Sequence, residues 1–155
     1  MEFTWKAFRY VKLRVRDCFE PVVIFYLRAA MCTYPYEERG KFISSDDKLN
    51  KVFNICKYTL RLCSHEFIMD MPWREQAQWS GDVSAVSLGG IYACFGDTKL
   101  TGKFMWQSAM AQMPTGFIQS TTHKWTGNWK NIALDYSMWW ADALWNHYEY
   151  TGDMV

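Results

Sequence analysis

The feature of the sequence that most constrains the fold is a change in hydrophobic periodicity near residue 45. Before it, Val11, Leu13 and Val15 alternate with basic residues, and an apolar period of two is typical of a strand with one buried face. The dense apolar segment 21–33 predicts a second strand, buried on both faces. After residue 45 the apolar residues recur at helical spacing. The sequence therefore predicts a short β segment followed by helices.

Four helices, each with an apolar stripe, are predicted over residues 47–63, 81–95, 98–113 and 131–150. The last three end at a turn with glycine or proline. The first follows several N-cap candidates in the segment 44–47. In the second, Gly89 and Gly90 leave room for another helix to approach closely. The last is predicted to bury one stripe, namely Leu134, Met138, Ala141, Trp145 and Tyr148.

The composition indicates a folded domain and limits the class of partner. Half of the 155 residues are hydrophobic and 21% are charged, which is typical of a chain that forms a core. The net charge of +1 gives no basic excess for nucleic acid or anionic lipid, and no apolar run reaches the roughly 18 residues of a membrane span. We therefore expect no nucleic acid and no membrane as partner. The first residues lack the apolar core of a signal peptide, and the compartment stays open.

The aromatic content is high, with 9 Trp, 9 Tyr and 10 Phe. Aromatic side chains bury much area in a core, and they also offer flat faces on which a sugar ring can lie; composition leaves both roles open. The five cysteines form no C-x-x-C pair, and His65, His123 and His147 show no metal-ligand spacing. We predict no metal site, and we assign the cysteines to the core.

The segment 70–82, with the sequence DMPWREQAQWSGD, carries the chemistry. Three carboxylates, Asp70, Glu75 and Asp82, lie within thirteen residues between two predicted helices, where a loop can present catalytic groups to a cleft. The residues alone leave a plain alternative open. Asp82 can interact with a helix dipole, and Arg74 with Glu75 can form a solvated ion pair of little energetic weight.

This segment resembles the signature of glycoside hydrolase family 78, the α-L-rhamnosidases, and of related six-hairpin glycosidases. The family pattern is an Asp, then Cys-Pro, an Arg, the catalytic Glu and Trp-x-Gly-Asp; the matching residues here are Asp70, Pro72, Arg74, Glu75, Trp79, Gly81 and Asp82. Weaker similarities lie at residues 8–11, 44–50, 114–116, 135–136 and 150–153. Two departures leave the exact sugar open: Met71 replaces the usual Cys, and Gln76-Ala77-Gln78 replaces Arg-Leu-Gly.

The resemblance implies a mainly α fold, the first helical hairpins of a partial (α/α)6 toroid, preceded by terminal strands of a β-sandwich domain. Residues 1–34 would be the C-terminal strands of that β-domain, and residues 35–46 a linker. Residues 47–155 would be the N-terminal part of a truncated six-hairpin catalytic domain. The missing C-terminal hairpins of the parent chain are then its expected packing partners.

The function implied by the resemblance is inverting hydrolysis of terminal α-L-rhamnosyl or related linkages in a carbohydrate substrate, without a cofactor. Inversion needs two carboxyl groups roughly 6.5–9.5 Å apart, with a water between them. Glu75 matches the general acid, and Asp70, Arg74, Trp79 and Asp82 match substrate-binding positions. The base is expected on a later helix beyond Val155, so the chain alone is expected to be inactive.

The last predicted helix offers a second group of candidates. Asp135, Trp139 and Asp142 fall on one helical face, which fits either a sugar pocket or a solvated surface, and Asp135 and Trp139 are the preferred sugar contacts. Trp125 and Trp129 fit either a cleft lining or a loop anchor. Glu149 is predicted to be a surface residue.

Two other functions remain open at this stage. A non-catalytic carbohydrate-binding module would keep the pocket without turnover, and a downstream Glu in a longer reading frame would argue against it. A helical interaction scaffold would place the Trp residues in the core and leave Glu75 exposed.

Overall fold

A computed structural model describes residues 6–124 and 132–153. Its elements, in chain order, are α1 (Asp47–Leu62), β1 (Ala77–Trp79), α2 (Ser80–Asp82), α3 (Leu88–Phe95), α4 (Lys99–Met110), β2 (Thr121–Lys124) and α5 (Leu134–Thr151). A π-helical turn, Val83–Ser87, joins α2 to α3, so residues 80–95 form one continuous helix. The protein is mainly α, as predicted.

The helices begin and end where local chemistry dictates. Asp46 is the N-cap of α1, and its side chain accepts a hydrogen bond from the backbone N–H of Lys48 at 2.8 Å. The helices α3 and α5 both end at a glycine in the left-handed conformation, Gly96 with φ 60° and Gly152 with φ 70°. The four predicted helices are thus found within a few residues of their expected bounds.

The core lies between α3, α4 and α5. Phe95, Phe104 and Ala143, one from each helix, are almost completely buried in a single cluster. Part of the predicted linker joins this core, because the ring of Tyr36 stacks on Phe95 with 4.3 Å between centroids. The backbone N–H of Gly40 also donates to the carbonyl of Cys94 at 2.9 Å.

The close approach predicted for the glycines of the second helix is found at Gly90. A Cβ atom added there would lie 2.6 Å from Cδ1 of Leu60, whereas one added to Gly89 would meet nothing within 4 Å. Gly90 is therefore where α1 and α3 pack closely.

The strands predicted at residues 11–16 and 21–33 are not found, and residues 6–33 contain no strand. Large apolar side chains there, such as Phe19, Val23 and Phe25, are exposed. A strand needs a neighbouring strand for its backbone hydrogen bonds and a layer for its apolar face. Within the described residues, the sheet consists of β1 and β2 alone. The assignment of residues 1–34 to a β-domain stays a prediction.

The prediction of which stripe of the last helix is buried is also wrong. Leu134, Met138, Trp145 and Tyr148 are all exposed. The face of α5 that meets the core carries Tyr136, Trp140, Ala143, Leu144 and His147. Both faces are rich in aromatic residues, and the packing partners decide which one is buried: His147 lies against Gly102 and Tyr92, and Tyr136 lies against Gly81.

The antiparallel pair β1–β2 was not predicted. It pairs the end of the segment 70–82 with the loop between α4 and α5, and its register is irregular between Ala77 and Trp79. No helix in the described part of the chain is both long and apolar enough to cross a membrane.

Candidate active site

The segment 70–82 forms a closed loop that ends in β1 and α2. Asp70 and Ala77 close it, because the N–H of Asp70 donates to the carbonyl of Ala77 at 2.9 Å. The N–H of Ala77 in turn donates to Oδ1 of Asp70 at 3.0 Å. Residues 72–75 make a turn, and Gln76 follows in the left-handed region with φ 49°. The side-chain amide of Gln76 donates a hydrogen bond to the backbone carbonyl of Pro72 at 3.1 Å, and this bond stabilises the turn that carries Glu75.

Glu75 is held by two donors and remains accessible. Nε1 of Trp79 donates to Oε2 at 2.7 Å, and the guanidinium of Arg74 pairs with Oε1. The Glu75 side chain is 30% exposed and that of Arg74 is 73% exposed. The carboxylate therefore has a fixed direction and lies open to a ligand.

Asp82 is held from a different helix. The hydroxyl of Tyr136, on α5, donates to Oδ2 of Asp82 at 3.2 Å. Burial raises the pKa of the Tyr136 phenol, and the negative charge and hydrogen bond of Asp82 raise it further. The charges of Asp135 and Glu75 act in the same direction, so these groups lie within one electrostatic environment.

Asp70 belongs to the same environment. Burial raises the pKa of its carboxyl above the ordinary value, and the charges of Glu75 and Asp82 raise it further. Hydrogen bonds from the backbone N–H groups of Ala77 and Met71 oppose this by stabilising the ionised form. The charges of Glu75 and Asp82 therefore act on the carboxyl of Asp70, as expected for an acid with neighbouring binding carboxylates.

The structure brings four predicted site residues together: Asp70, Glu75, Trp79 and Asp82. Arg74, which the resemblance implied as a substrate-binding position, forms an ion pair with Glu75, the pairing that the residues alone had left open. Asp135 and Trp139 are exposed on α5, whereas Tyr136 of the same helix contacts the loop.

Sequence reasoning did not place Tyr136 in the site, although residues 135–136 resemble a family feature and the glycine of the pattern Trp-x-Gly-Asp is a residue that allows another group to come close. Trp125 and Trp129 lie outside the described residues, and Glu149 is exposed. In the described part of the chain, no group of three or more His, Cys, Asp or Glu side chains is arranged to hold a metal ion.

Gln78, next to Trp79, contacts a different surface. It is 1% exposed, and its amide donates to Oε1 of Gln107 at 2.9 Å and to Oγ1 of Thr122 at 2.7 Å. These two acceptors line a groove of about 610 Å³ along α4, together with Lys103, Trp106, Met110 and Ala111. The side chain of Gln78 thus links β1 to α4 and β2 by hydrogen bonds. The groove beside it is lined by none of the predicted site residues.

Solved structures define the class of protein. The chain is similar to a glycoside hydrolase family 78 rhamnosidase of Bacillus sp. GL1, with 27% identity and a TM-score of 0.66 over 78% of this chain and 12% of that one. It has the fold of a Klebsiella oxytoca rhamnosidase solved with rhamnose bound, at 23% identity and a TM-score of 0.63, over 72% of this chain and 22% of that one. The class is a six-hairpin glycosidase fold.

The family follows from the sequence match. The model of the bacterial alpha-L-rhamnosidase six-hairpin glycosidase domain matches residues 37–155, and the chain belongs to this family. It is also 31% identical over 91 residues to an alpha-L-rhamnosidase of Formosa agariphila. That match covers 59% of this chain and 9% of the relative, so the chain spans a small part of the length of its curated relative.

Proposed function

We propose that the parent protein hydrolyses terminal α-L-rhamnosyl or closely related linkages with inversion, and that Glu75 is its general acid. The observation that carries the proposal is the position of Glu75 inside a family match that spans residues 37–155. It is partly exposed, it is aimed by Trp79, and it shares its environment with Asp70 and Asp82. A surface ion pair alone would need neither the indole donor nor the neighbouring carboxylates.

In this proposal Glu75 protonates the oxygen of the leaving group. Proton donation requires the protonated carboxyl, so the contact with Arg74 must open when the substrate enters. The guanidinium is mostly exposed and can move without a large desolvation cost. Trp79 keeps the carboxyl in place meanwhile, because its indole N–H is fixed in the plane of the ring.

The other groups of the site are proposed to bind the sugar. Asp70 and Asp82 accept hydrogen bonds from sugar hydroxyls, since an ionised carboxylate is an acceptor with two oxygens. Asp135 and the 43% exposed ring of Trp139 are proposed as further contacts, because both are accessible on α5. The general base is proposed to be a Glu on a later helix of the parent chain. No cofactor is required for this chemistry.

The test compares wild-type parent protein with its Glu75→Gln variant on two α-L-rhamnosides, one with a nitrophenyl leaving group and one with an alkyl leaving group. Removing a general acid costs about 10²–10⁴-fold in rate. The loss should be larger for the alkyl rhamnoside, because its leaving oxygen is more basic and needs the proton more. The anomer formed first, followed by proton NMR, reports inversion or retention.

Glu149→Gln is the matched control, because it makes the same change at an exposed Glu of α5. It should leave both rates within about twofold of wild type. Activity of Glu75→Gln that equals the control on both substrates would refute the acid role. An inactive wild type that still binds L-rhamnose would favour the non-catalytic binding module instead.

A further inference from the structure

The buried glycine of the loop has a neighbour that explains it. Gly81 lies in α2, and a Cβ atom added there would lie 2.5 Å from Cε1 of Tyr136. Gly81 is not among the residues with positive φ, so the position requires space and not an unusual backbone conformation. The sequence therefore keeps this place open for the ring of Tyr136.

The ring that occupies this space contacts the site at two points. Its hydroxyl donates to Oδ2 of Asp82 at 3.2 Å. The ring is also perpendicular to that of Trp79, with 5.9 Å between centroids and 89° between planes, which is a favourable arrangement for two aromatic rings. Trp79 in turn donates to Glu75. A continuous series of contacts thus runs from Glu75 through Trp79 and Tyr136 to Asp82.

We propose that Tyr136 is a positioning residue that fixes the direction of Asp82 toward the sugar. This inference rests on the proposed function, in which Asp82 binds a sugar hydroxyl. Because the phenol holds one carboxylate oxygen, the direction of the other is fixed as well. The helix α5, which lies outside the loop, thereby sets the geometry between the acid and a sugar-binding carboxylate.

The test uses Tyr136→Phe in the parent chain with its complete barrel and an aryl α-L-rhamnoside as the substrate. Phenylalanine removes the hydroxyl but keeps the ring over Gly81 and against Trp79. Loss of one hydrogen bond to a charged group should raise KM about tenfold and change kcat by less than about threefold. In an Asp82→Asn background Tyr136→Phe should alter KM by less than about twofold, because the carboxylate that the hydroxyl holds has already been replaced by an amide.

The control is Tyr148→Phe, which removes a hydroxyl from the exposed face of the same helix and should leave KM within about twofold of wild type. Gly81→Ala is a second variant, because it displaces the ring without removing the hydroxyl, and it too should raise KM more than kcat falls. Circular dichroism and the thermal midpoint show which variants are folded.

Three outcomes contradict the inference. A Tyr136→Phe variant that behaves like Tyr148→Phe shows that the hydroxyl has no role in the site. An equal rise of KM in the wild-type and Asp82→Asn backgrounds shows that it acts on the fold and not through Asp82. Both leave the proposed function intact. A wild-type parent that hydrolyses no rhamnoside overturns the proposed function, and the role given to Tyr136 is overturned with it.

Discussion

The segment 6–33 and the segment 34–153 are both rich in apolar residues, yet only the second buries them. Phe25 is 88% exposed, whereas Phe104 is 0% exposed. The difference lies in what surrounds each residue, because the side chains of α3, α4 and α5 pack against one another. The first segment has no regular structure and exposes its large side chains. Hydrophobic sequence becomes a core only where a second layer faces it.

The largest expected effect comes from making the same substitution in the two segments. Phe104→Ala should lower the free energy of unfolding by about 3–5 kcal/mol, because it removes a fully buried ring and leaves a cavity. Phe25→Ala should change it by no more than about 0.5 kcal/mol. Chemical denaturation of both variants measures the contrast. Equal effects would show that the first segment also packs in solution.

The second prediction locates the boundary between the two segments. A Cβ atom at Gly40 would lie 1.7 Å from the backbone oxygen of Ala93, so Gly40→Ala should destabilise the protein by about 1–3 kcal/mol. A Cβ atom at Gly89 would meet nothing within 4 Å, so Gly89→Ala, in the helix α3 that carries Ala93, should stabilise the protein by up to about 1 kcal/mol. If Gly40→Ala were neutral, the packed region would begin later along the chain.

We expect the free energy of unfolding to depend on pH through histidines of the packed segment, since residues 6–33 contain no histidine. Burial lowers the pKa of His147 below its ordinary value of 6.5, and that of His65 likewise. As the pH falls through 6.5, the unfolded chain takes up protons before the folded one does, so the free energy of unfolding falls. Denaturation at pH 8 and pH 5.5 should show this loss.

The His147→Gln variant tests the source of that loss. Glutamine can still hydrogen-bond to Tyr92 but does not titrate, so the difference between pH 8 and pH 5.5 should shrink. His65 should contribute to the part of the difference that remains, because burial lowers its pKa as well. An undiminished difference in the variant would show that His147 does not contribute.

The smallest effect is expected from deleting residues 1–33. The backbone contacts of the packed region begin at Tyr34, whose N–H donates to the carbonyl of Ser64 at 2.7 Å. The unfolding midpoint should therefore stay within the error of measurement, while self-association, followed by light scattering, should decrease because exposed apolar side chains are removed. A large loss of stability would mean that the first segment stabilises the helices.

Much of the fold could be predicted because its signals are local. Asp46 and Gly96 mark helix ends through hydrogen bonding and backbone conformation that depend on a few neighbouring residues. The buried face of α5 could not be predicted, since aromatic residues occupy both faces and the choice depends on Gly81, Tyr92 and Gly102 elsewhere in the chain. The strand β1 escaped prediction because three residues are too few to show a period.

The site divides in the same way. Asp70, Glu75 and Asp82 stand close together in the sequence, so their proximity could be expected. Tyr136 lies 54 residues after Asp82, and only the folded chain shows that its ring fills the space above Gly81. The sequence left the partner of Arg74 open because several carboxylates lie near it in the chain, and in the structure that partner is Glu75, which lies in the same turn at residues 72–75.

The π-helical turn at Val83–Ser87 makes the helix over residues 80–95 tolerant of a one-residue change in length. Such a turn holds one residue more than an α-helical turn, and one residue corresponds to about 100° around a helix axis. Deleting a single residue there would convert the turn to α-helix, and because both kinds of turn complete one revolution, Gly81 and Asp82 would keep their direction relative to α3. The same deletion within α3 would rotate the loop by about 100° instead, so the π-helical turn is the place where this helix can be shortened with the site kept in its direction.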